Sequence, residues 1–209
     1  MDAASVSPHV AHITKPAPGV DRARRWQSLG YTGATIWFTG LPASGKSTIA
    51  AAVESRLVLA GRSAYRLDGD LLRTGLNRDL GFDWESRTEN VRRTAEVARL
   101  LADAGTVVLV SVVAPSSAAR ANARALHEQD GLPFLEVWLS TPLSECERRD
   151  PKGLYARARR GELPGMTGVD APYEPPAEPD LVLTPDLDVQ ASTSRVLVAL
   201  DSLARPAAS

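Results

Sequence analysis

An α/β protein in three layers, a mostly parallel sheet with helices on both faces, is predicted by three observations. From Gly33 onward, apolar strand-like runs alternate with helical stretches, the order of a parallel sheet with crossover helices. Runs such as Val107-Val-Leu-Val110 are apolar at every position, as a strand buried on both faces demands. The first run ends in a glycine-bounded turn that opens directly into an Ala/Leu/Val-rich stretch, giving strand, loop and helix in succession.

Each element has its own signal. Residues 1 to about 20 carry Ser, Pro, His and Ala without a period and are expected to form a flexible leader, with His9 and His12 as solvated tail residues. Asp21 to Gln27 is a short basic helix candidate, packed or loose. Ala34 to Thr39, β-branched and aromatic, is the first strand, and Ile49 to Ala60 continues as helix. Ser63 to Leu67 reads as a second strand, Arg87 to Ala104 as a long helix and Thr106 to Val113 as a third strand. Pro115 to Gln129 is a helix, Phe134 to Leu139 a fourth strand, Leu181 to Leu183 a short fifth, and Val189 to Leu203 a closing helix. Asp150 to Pro179, rich in Gly, Pro and Arg, is too long and too polar for a passive connection and is expected to be a mobile functional loop. The organisation expected is an N-terminal extension over 1–32, partly flexible, and one domain over 33–205 with a lid at about 148–170.

Composition bounds the function. The chain has 209 residues, 44% of them hydrophobic, enough for one buried core. A formal net charge of −1 gives no global field toward nucleic acid or an anionic membrane, so neither is an expected partner and anion binding must be local. Cys146, the single cysteine, excludes an internal disulfide and fits a reducing compartment. No apolar run approaches the roughly 18 residues of a membrane span, and the N-terminus lacks a signal-like apolar segment. A cytoplasmic protein is expected.

Gly40-Leu41-Pro42-Ala43-Ser44-Gly45-Lys46-Ser47-Thr48 matches the phosphate-binding loop at every fixed position and lies between strand and helix as the motif requires. Successive backbone N–H groups in such a loop converge on phosphates, and its glycines let the main chain approach without a Cβ in the way. Lys46 is expected on the β and γ phosphates and the Ser47 hydroxyl on Mg²⁺. The fold prediction sharpens to a three-layer P-loop NTPase fold that handles a nucleoside triphosphate.

Phosphoryl transfer needs the γ-phosphate, Mg²⁺ and an acceptor held in line, with cations where negative charge accumulates. Leu67-Asp68-Gly69-Asp70 closes the second strand at the carboxyl edge of the sheet. Asp70 is the candidate for orienting or deprotonating an acceptor hydroxyl, with Asp68 near the Mg²⁺ shell; a plain turn and helix cap is the alternative. Arg73 follows, and Arg87 and Asn90 are three apart on one face of the next helix, where a guanidinium can fork onto a phosphate or sulfate. Arg92 and Arg93 read as a solvated, salt-bridged face. Phe82 either stacks on a base or fills the core. The stretch Arg148 to Arg160 holds six basic residues against one acidic and reads as a lid that closes over bound nucleotide and excludes water, or else as an exposed basic helix.

Several of these segments together resemble the adenylylsulfate kinases. The matching stretches are Gly33 through the P-loop, Leu67-Asp-Gly-Asp70, Arg73 to Phe82, Arg87 to Ala98, Pro142 to Arg159 and Thr167 to Pro176, within a similarity covering about Gly33 to Leu203. The resemblance implies phosphorylation of the 3′ hydroxyl of adenosine 5′-phosphosulfate with ATP and Mg²⁺. It further implies a homodimer and a functional association with an ATP sulfurylase. It gives Asp70 the 3′ hydroxyl, Arg73, Arg87 and Asn90 the phosphosulfate and sugar, Phe82 one side of an adenine sandwich, and Lys152 the role of lid cation. Val113, Ala114, Gly165 and Met166 would line the same acceptor.

Two positions depart from the family pattern. Met166 stands where a phenylalanine before Thr-Gly is common, so a thioether would replace a second aromatic wall and weaken acceptor binding. Ala114 stands where some members have a phosphorylated serine; Ser116 and Ser117 lie past Pro115 and are not equivalent, and a direct transfer needs no such serine. A diverged small-molecule kinase with another nucleotide-like acceptor and a non-catalytic nucleotide-binding regulatory domain are the competing expectations.

Overall fold

The computed structural model describes residues 19–203, so the expected leader and its two histidines lie outside the described residues. The elements are α1 (Arg22–Leu29), β1 (Ala34–Thr39), α2 (Lys46–Leu59), β2 (Ala64–Asp68), α3 (Gly69–Thr74), α4 (Trp84–Ala104) and β3 (Val107–Ser111). They continue with α5 (Ser117–Gln129), β4 (Phe134–Leu139), α6 (Leu143–Arg149), α7 (Leu154–Arg159), β5 (Leu181–Leu183) and α8 (Val189–Leu203). The strands form one sheet in the order β2-β3-β1-β4-β5, and every pairing among them is parallel.

All six residues of β1 and all five of β3 are buried, which explains the apolar runs Ile36-Trp-Phe38 and Val107-Val-Leu-Val110 within them. Alternate side chains of β1 serve opposite layers. Ile36 and Phe38 pack with Val53 and Leu57 of α2 and Val196 and Leu200 of α8. Trp37 packs on the other face with Ala95 and Ala98 of α4 and Ala119 and Ala123 of α5. Fully burying such large side chains is worth about 1.5–3 kcal/mol each, so the sheet is a firm base for whatever stands at its edge.

Register sets that edge. Phe38 lies opposite Ser111, and Asp68 lies opposite Ser111 from the other side, so β1, β3 and β2 end level at their carboxyl termini. The loop after β1 and the start of α3 therefore meet at one place.

The basic helix candidate is packed. Asp21 caps α1 by accepting from Arg24 N at 2.8 Å, Arg22 and Arg25 pair with Asp103 of α4, and Trp26 packs on the α4–α5 layer. Other boundaries move for local reasons. Helix α2 begins at Lys46 because Gly45, at φ +106°, turns the loop straight into it. Helix α4 begins at Trp84 because the Asp83 side chain accepts from Ser86 N at 2.8 Å. The expected loop over 150–179 contains α7, whose first turn is held by the Asp150 carboxylate on Tyr155 N and Ala156 N at 3.2 and 3.0 Å.

Candidate active site

The loop 40–48 takes its shape from two glycines. Gly40 sits at φ +147° with the position of an added Cβ only 2.8 Å from Leu139 O, and Gly45 sits at φ +106°. Lys46 is folded into this loop, donating to Gly40 O at 2.9 Å, Leu41 O at 2.7 Å and Ser44 Oγ at 3.3 Å. Burial pushes its ammonium down to about 8, against weaker upward pulls from the charges of Cys146, Asp68 and Asp70.

Ser47 Oγ donates to Asp68 at 2.7 Å and lies 3.1 Å from Ser111 Oγ. The level strand ends bring these three together. No group of three or more His, Cys, Asp or Glu among the described residues could hold a metal ion by itself. Hydroxyl and carboxylate oxygens at the mouth of a phosphate loop suit Mg²⁺, which takes few protein ligands and the rest from phosphate and water. Ser47 and Asp68 fit that role.

Asp68 also caps α3, its other oxygen accepting from Asp70 N at 3.0 Å. The plain cap and the candidate metal-shell residue are thus one side chain using two oxygens. Asp70 itself is 74% exposed at its side chain and is paired with Lys152, brought from the lid side. At such exposure the pair is worth about 0–1 kcal/mol, weak enough for a ligand to displace.

Phe82 is 60% exposed, which removes the core alternative. The Arg73 guanidinium lies 4.2 Å from its ring centroid and Arg87 lies 5.7 Å away. Arg73 also donates to Leu80 O and Gly81 O at 3.1 and 3.0 Å. Arg87 spans the cleft, donating to Phe82 O at 2.6 Å, Gly165 O at 2.7 Å and Thr167 Oγ1 at 2.8 Å. Asn90 is 8% exposed and accepts from Asn77 Nδ2 at 2.8 Å. Arg92 pairs with Glu89 as a solvated face would, whereas Arg93 forks onto Asp79 at 2.8 and 2.9 Å and so ties the Asn77 loop to α4.

Val113 is half-buried and its carbonyl accepts from Thr39 Oγ1 at 2.7 Å, while Ala114 is 3% exposed at φ +45°. The Ala114 carbonyl is held by Arg120 Nη1 at 2.7 Å, and the buried Arg120 also pairs with Glu136 at 2.8 Å and reaches out to Glu174 O at 2.8 Å. Ser116 caps α5 and Ser117 binds the Glu174 carboxylate, so neither hydroxyl stands in for a serine at 114.

Met166 does not stand open opposite Phe82. It is 6% exposed and packs with Cys146 and Tyr155, flanked by Leu41 and Leu143, in a third apolar cluster beneath the lid. Tyr155 joins that cluster to the phosphate loop by donating to Pro42 O at 3.0 Å. The expectation of a thioether wall thus meets a residue already committed to packing the lid.

Sequence reasoning missed Arg149, Tyr155 and the strand-end serine Ser111, and it missed a cavity of about 350 Å³ beside Gly45 and Thr48. That cavity is lined by Leu139, Arg149, Thr184, Pro185 and Leu187, among others. Arg149 and Tyr155 lay in plain view within the basic stretch; the cavity's far wall, after β5, carried no motif.

A family model described as adenylylsulphate kinase matches residues 32–184. The probable adenylyl-sulfate kinase of Halalkalibacterium halodurans is 50% identical over 198 residues, covering 94% of this chain and 91% of that protein. The bifunctional enzyme CysN/CysC of Mycobacterium tuberculosis is 54% identical over 190 residues, covering 90% of this chain; the chain spans only 31% of that relative's length. Among solved structures, the Mycobacterium tuberculosis APS kinase CysC in complex with AMPPNP and APS superposes with a TM-score of 0.80. It is 53% identical, with 82% of this chain and 99% of that one covered.

Proposed function

The chain belongs to the adenylylsulfate kinase family, and from that premise we propose that it transfers the γ-phosphoryl group of ATP to the 3′ hydroxyl of adenosine 5′-phosphosulfate. The products are 3′-phosphoadenylyl sulfate and ADP. The observation that carries this reading is the junction at Asp68: one oxygen takes the Ser47 hydroxyl of the phosphate loop, the other takes the amide of Asp70. Donor site and acceptor carboxylate are thereby fixed two residues apart at the end of one strand.

The triphosphate lies along the backbone N–H groups of the phosphate loop, with its base and ribose in the cavity beside Arg149 and Pro185. Mg²⁺ at Ser47 and Asp68 supplies charge neutralisation at the phosphates when bound. Lys46 leaves its loop carbonyls for the transferring phosphate. On the other side, Phe82 stacks on the acceptor's adenine, and Arg73, Arg87 and Asn90 take its anionic groups. Asp70 orients the 3′ hydroxyl and accepts its proton as the oxygen bonds to Pγ and the bond from Pγ to the β-bridging oxygen breaks. Lys152, released from Asp70, meets the acceptor, and the lid over 148–170 closes to keep water from taking the phosphoryl group. A reducing cytoplasm and a homodimer are the setting we assign. An ATP sulfurylase is the chemical class of supplier, since the acceptor is itself an adenylyl–sulfate anhydride.

The test is ADP release by a coupled assay with adenosine 5′-phosphosulfate, adenosine 5′-monophosphate or no acceptor. Turnover is expected only with the first. Turnover confined to another acceptor would indicate a diverged kinase, and none at all would indicate a binding domain.

A further inference from the structure

We propose that Asn77 is a positioning residue for the acceptor: it holds the amide of Asn90 with the NH₂ group turned toward the cleft. This rests on Asn90 being a donor to the acceptor's anionic group. A primary amide has two faces, and only the NH₂ face helps an anion; rotated by half a turn, Asn90 would offer a carbonyl oxygen instead. The structure shows one of these arrangements. Asn77 Nδ2 donates to Asn90 Oδ1 at 2.8 Å, both residues being buried, so the oxygen is engaged inward. Asn90 Nδ2 makes no hydrogen bond to the described residues and is not sealed from solvent, which leaves it as the free face. It shares a face of α4 with Arg87.

Asn77 is well placed to impose this. It lies between the helix carrying Arg73 and the segment carrying Phe82, with its N–H on Leu72 O at 2.9 Å and its carbonyl taking Leu80 N at 3.1 Å. The Arg93–Asp79 fork clamps the same loop to α4. The other half of the Asn77 side chain is what marks it as more than a packing residue. Its Oδ1 is buried without a partner among the described residues, an unfavourable placement that a leucine of the same shape would avoid. Leucine could not donate to Asn90.

The test is a double-mutant cycle on the intact chain with Asn77→Leu, Asn90→Ala and the pair, reading KM for adenosine 5′-phosphosulfate and for ATP separately. Asn77→Leu is expected to fold with a melting temperature close to wild type, to raise the acceptor KM about tenfold, as loss of a hydrogen bond to a charged group does, and to leave the ATP KM within about twofold. Asn90→Ala should do the same, and the pair should be no worse than Asn90→Ala alone. An unchanged acceptor KM in Asn77→Leu beside a raised one in Asn90→Ala overturns the role of Asn77. An unchanged acceptor KM in Asn90→Ala overturns the underlying reading of Asn90. If Asn77→Leu does not fold, Asn77→Ala enters the same cycle, and fold-changes that multiply in its pair with Asn90→Ala overturn the proposal.

Discussion

The two sides of the cleft are made differently. The donor side centres on nine consecutive residues whose backbone is bent by Gly40 and Gly45 and seated on buried strands, with Tyr155 and Thr141 pinning the carbonyls of Pro42 and Ser44 from outside. The acceptor side is assembled from α3, the Phe82 segment, α4 and the lid, joined by contacts such as Arg87 to Thr167 across 80 residues of chain. Several of its charged groups are already engaged within the protein: Lys152 on Asp70, Arg73 over Phe82, Arg87 on Gly165 O. Apart from Lys46, which must leave its loop carbonyls, the backbone-built half has its shape before the ligand arrives, whereas a half built from side-chain pairs must exchange those pairs for substrate. Selectivity and turnover should therefore be more easily tuned on the acceptor side.

The largest expected effect tests the donor side. Lys46→Ala removes the one cation buried in the phosphate loop, and a loss of about 10²–10³ in kcat is expected. Steady-state rates within a few-fold of wild type would break the assignment. On the acceptor side, Lys152→Ala should raise the acceptor KM about tenfold while leaving the ATP KM and the melting temperature nearly unchanged, because its exposed pair with Asp70 contributes little to folding. Equal changes in both KM values would erase the distinction between the halves.

Lys46 adds a smaller, pH-dependent signature. Burial holds it at about 8 against an unfolded value of 10.5, so the unfolded chain binds more protons between those values. The unliganded protein's stability from this group therefore rises across pH 8 to 10.5, and keeping it charged below 8 costs on the order of 3 kcal/mol. Triphosphate favours the charged form. Titration with AMPPNP at pH 8.5 in two buffers of different ionisation heat should register proton uptake; none would mean that Lys46 does not meet the phosphates.

Met166→Phe gives the finest test. Packed with Cys146 and Tyr155, the larger ring should cost about 1–3 kcal/mol of stability and leave the acceptor KM little changed. A tighter acceptor KM with unchanged stability would restore the sandwich expected from the sequence.

What was legible in the chain follows the same division. The phosphate loop could be read because its function needs consecutive residues between a strand and a helix. Asp68 and Asp70 could be singled out because they lie where a strand of such a chain passes into the next helix. The pairing of Asn77 with Asn90, the burial of Met166 and the cavity behind Arg149 could not, since each depends on which segments the fold brings together. Phe82 stayed ambiguous for the same reason: an aromatic residue in a turn has the same sequence signature whether it stacks or packs. Helix α6 was hidden by composition and α7 stood only as the alternative reading of the basic stretch, because their polar turns are stabilised by the Glu145 pairs with Arg148 and Arg149, by the Asp150 carboxylate at the start of α7 and by the cluster under the lid rather than by a long apolar stripe.

The most direct test of the two-sided site is where the phosphoryl group lands. Phosphorus–proton correlation spectra of the product from ATP and adenosine 5′-phosphosulfate should show a new phosphomonoester coupled to the ribose H3′. Phosphate on any other atom of the acceptor, or free phosphate alone, would contradict the placement of Asp70 against the 3′ hydroxyl and the account built on it.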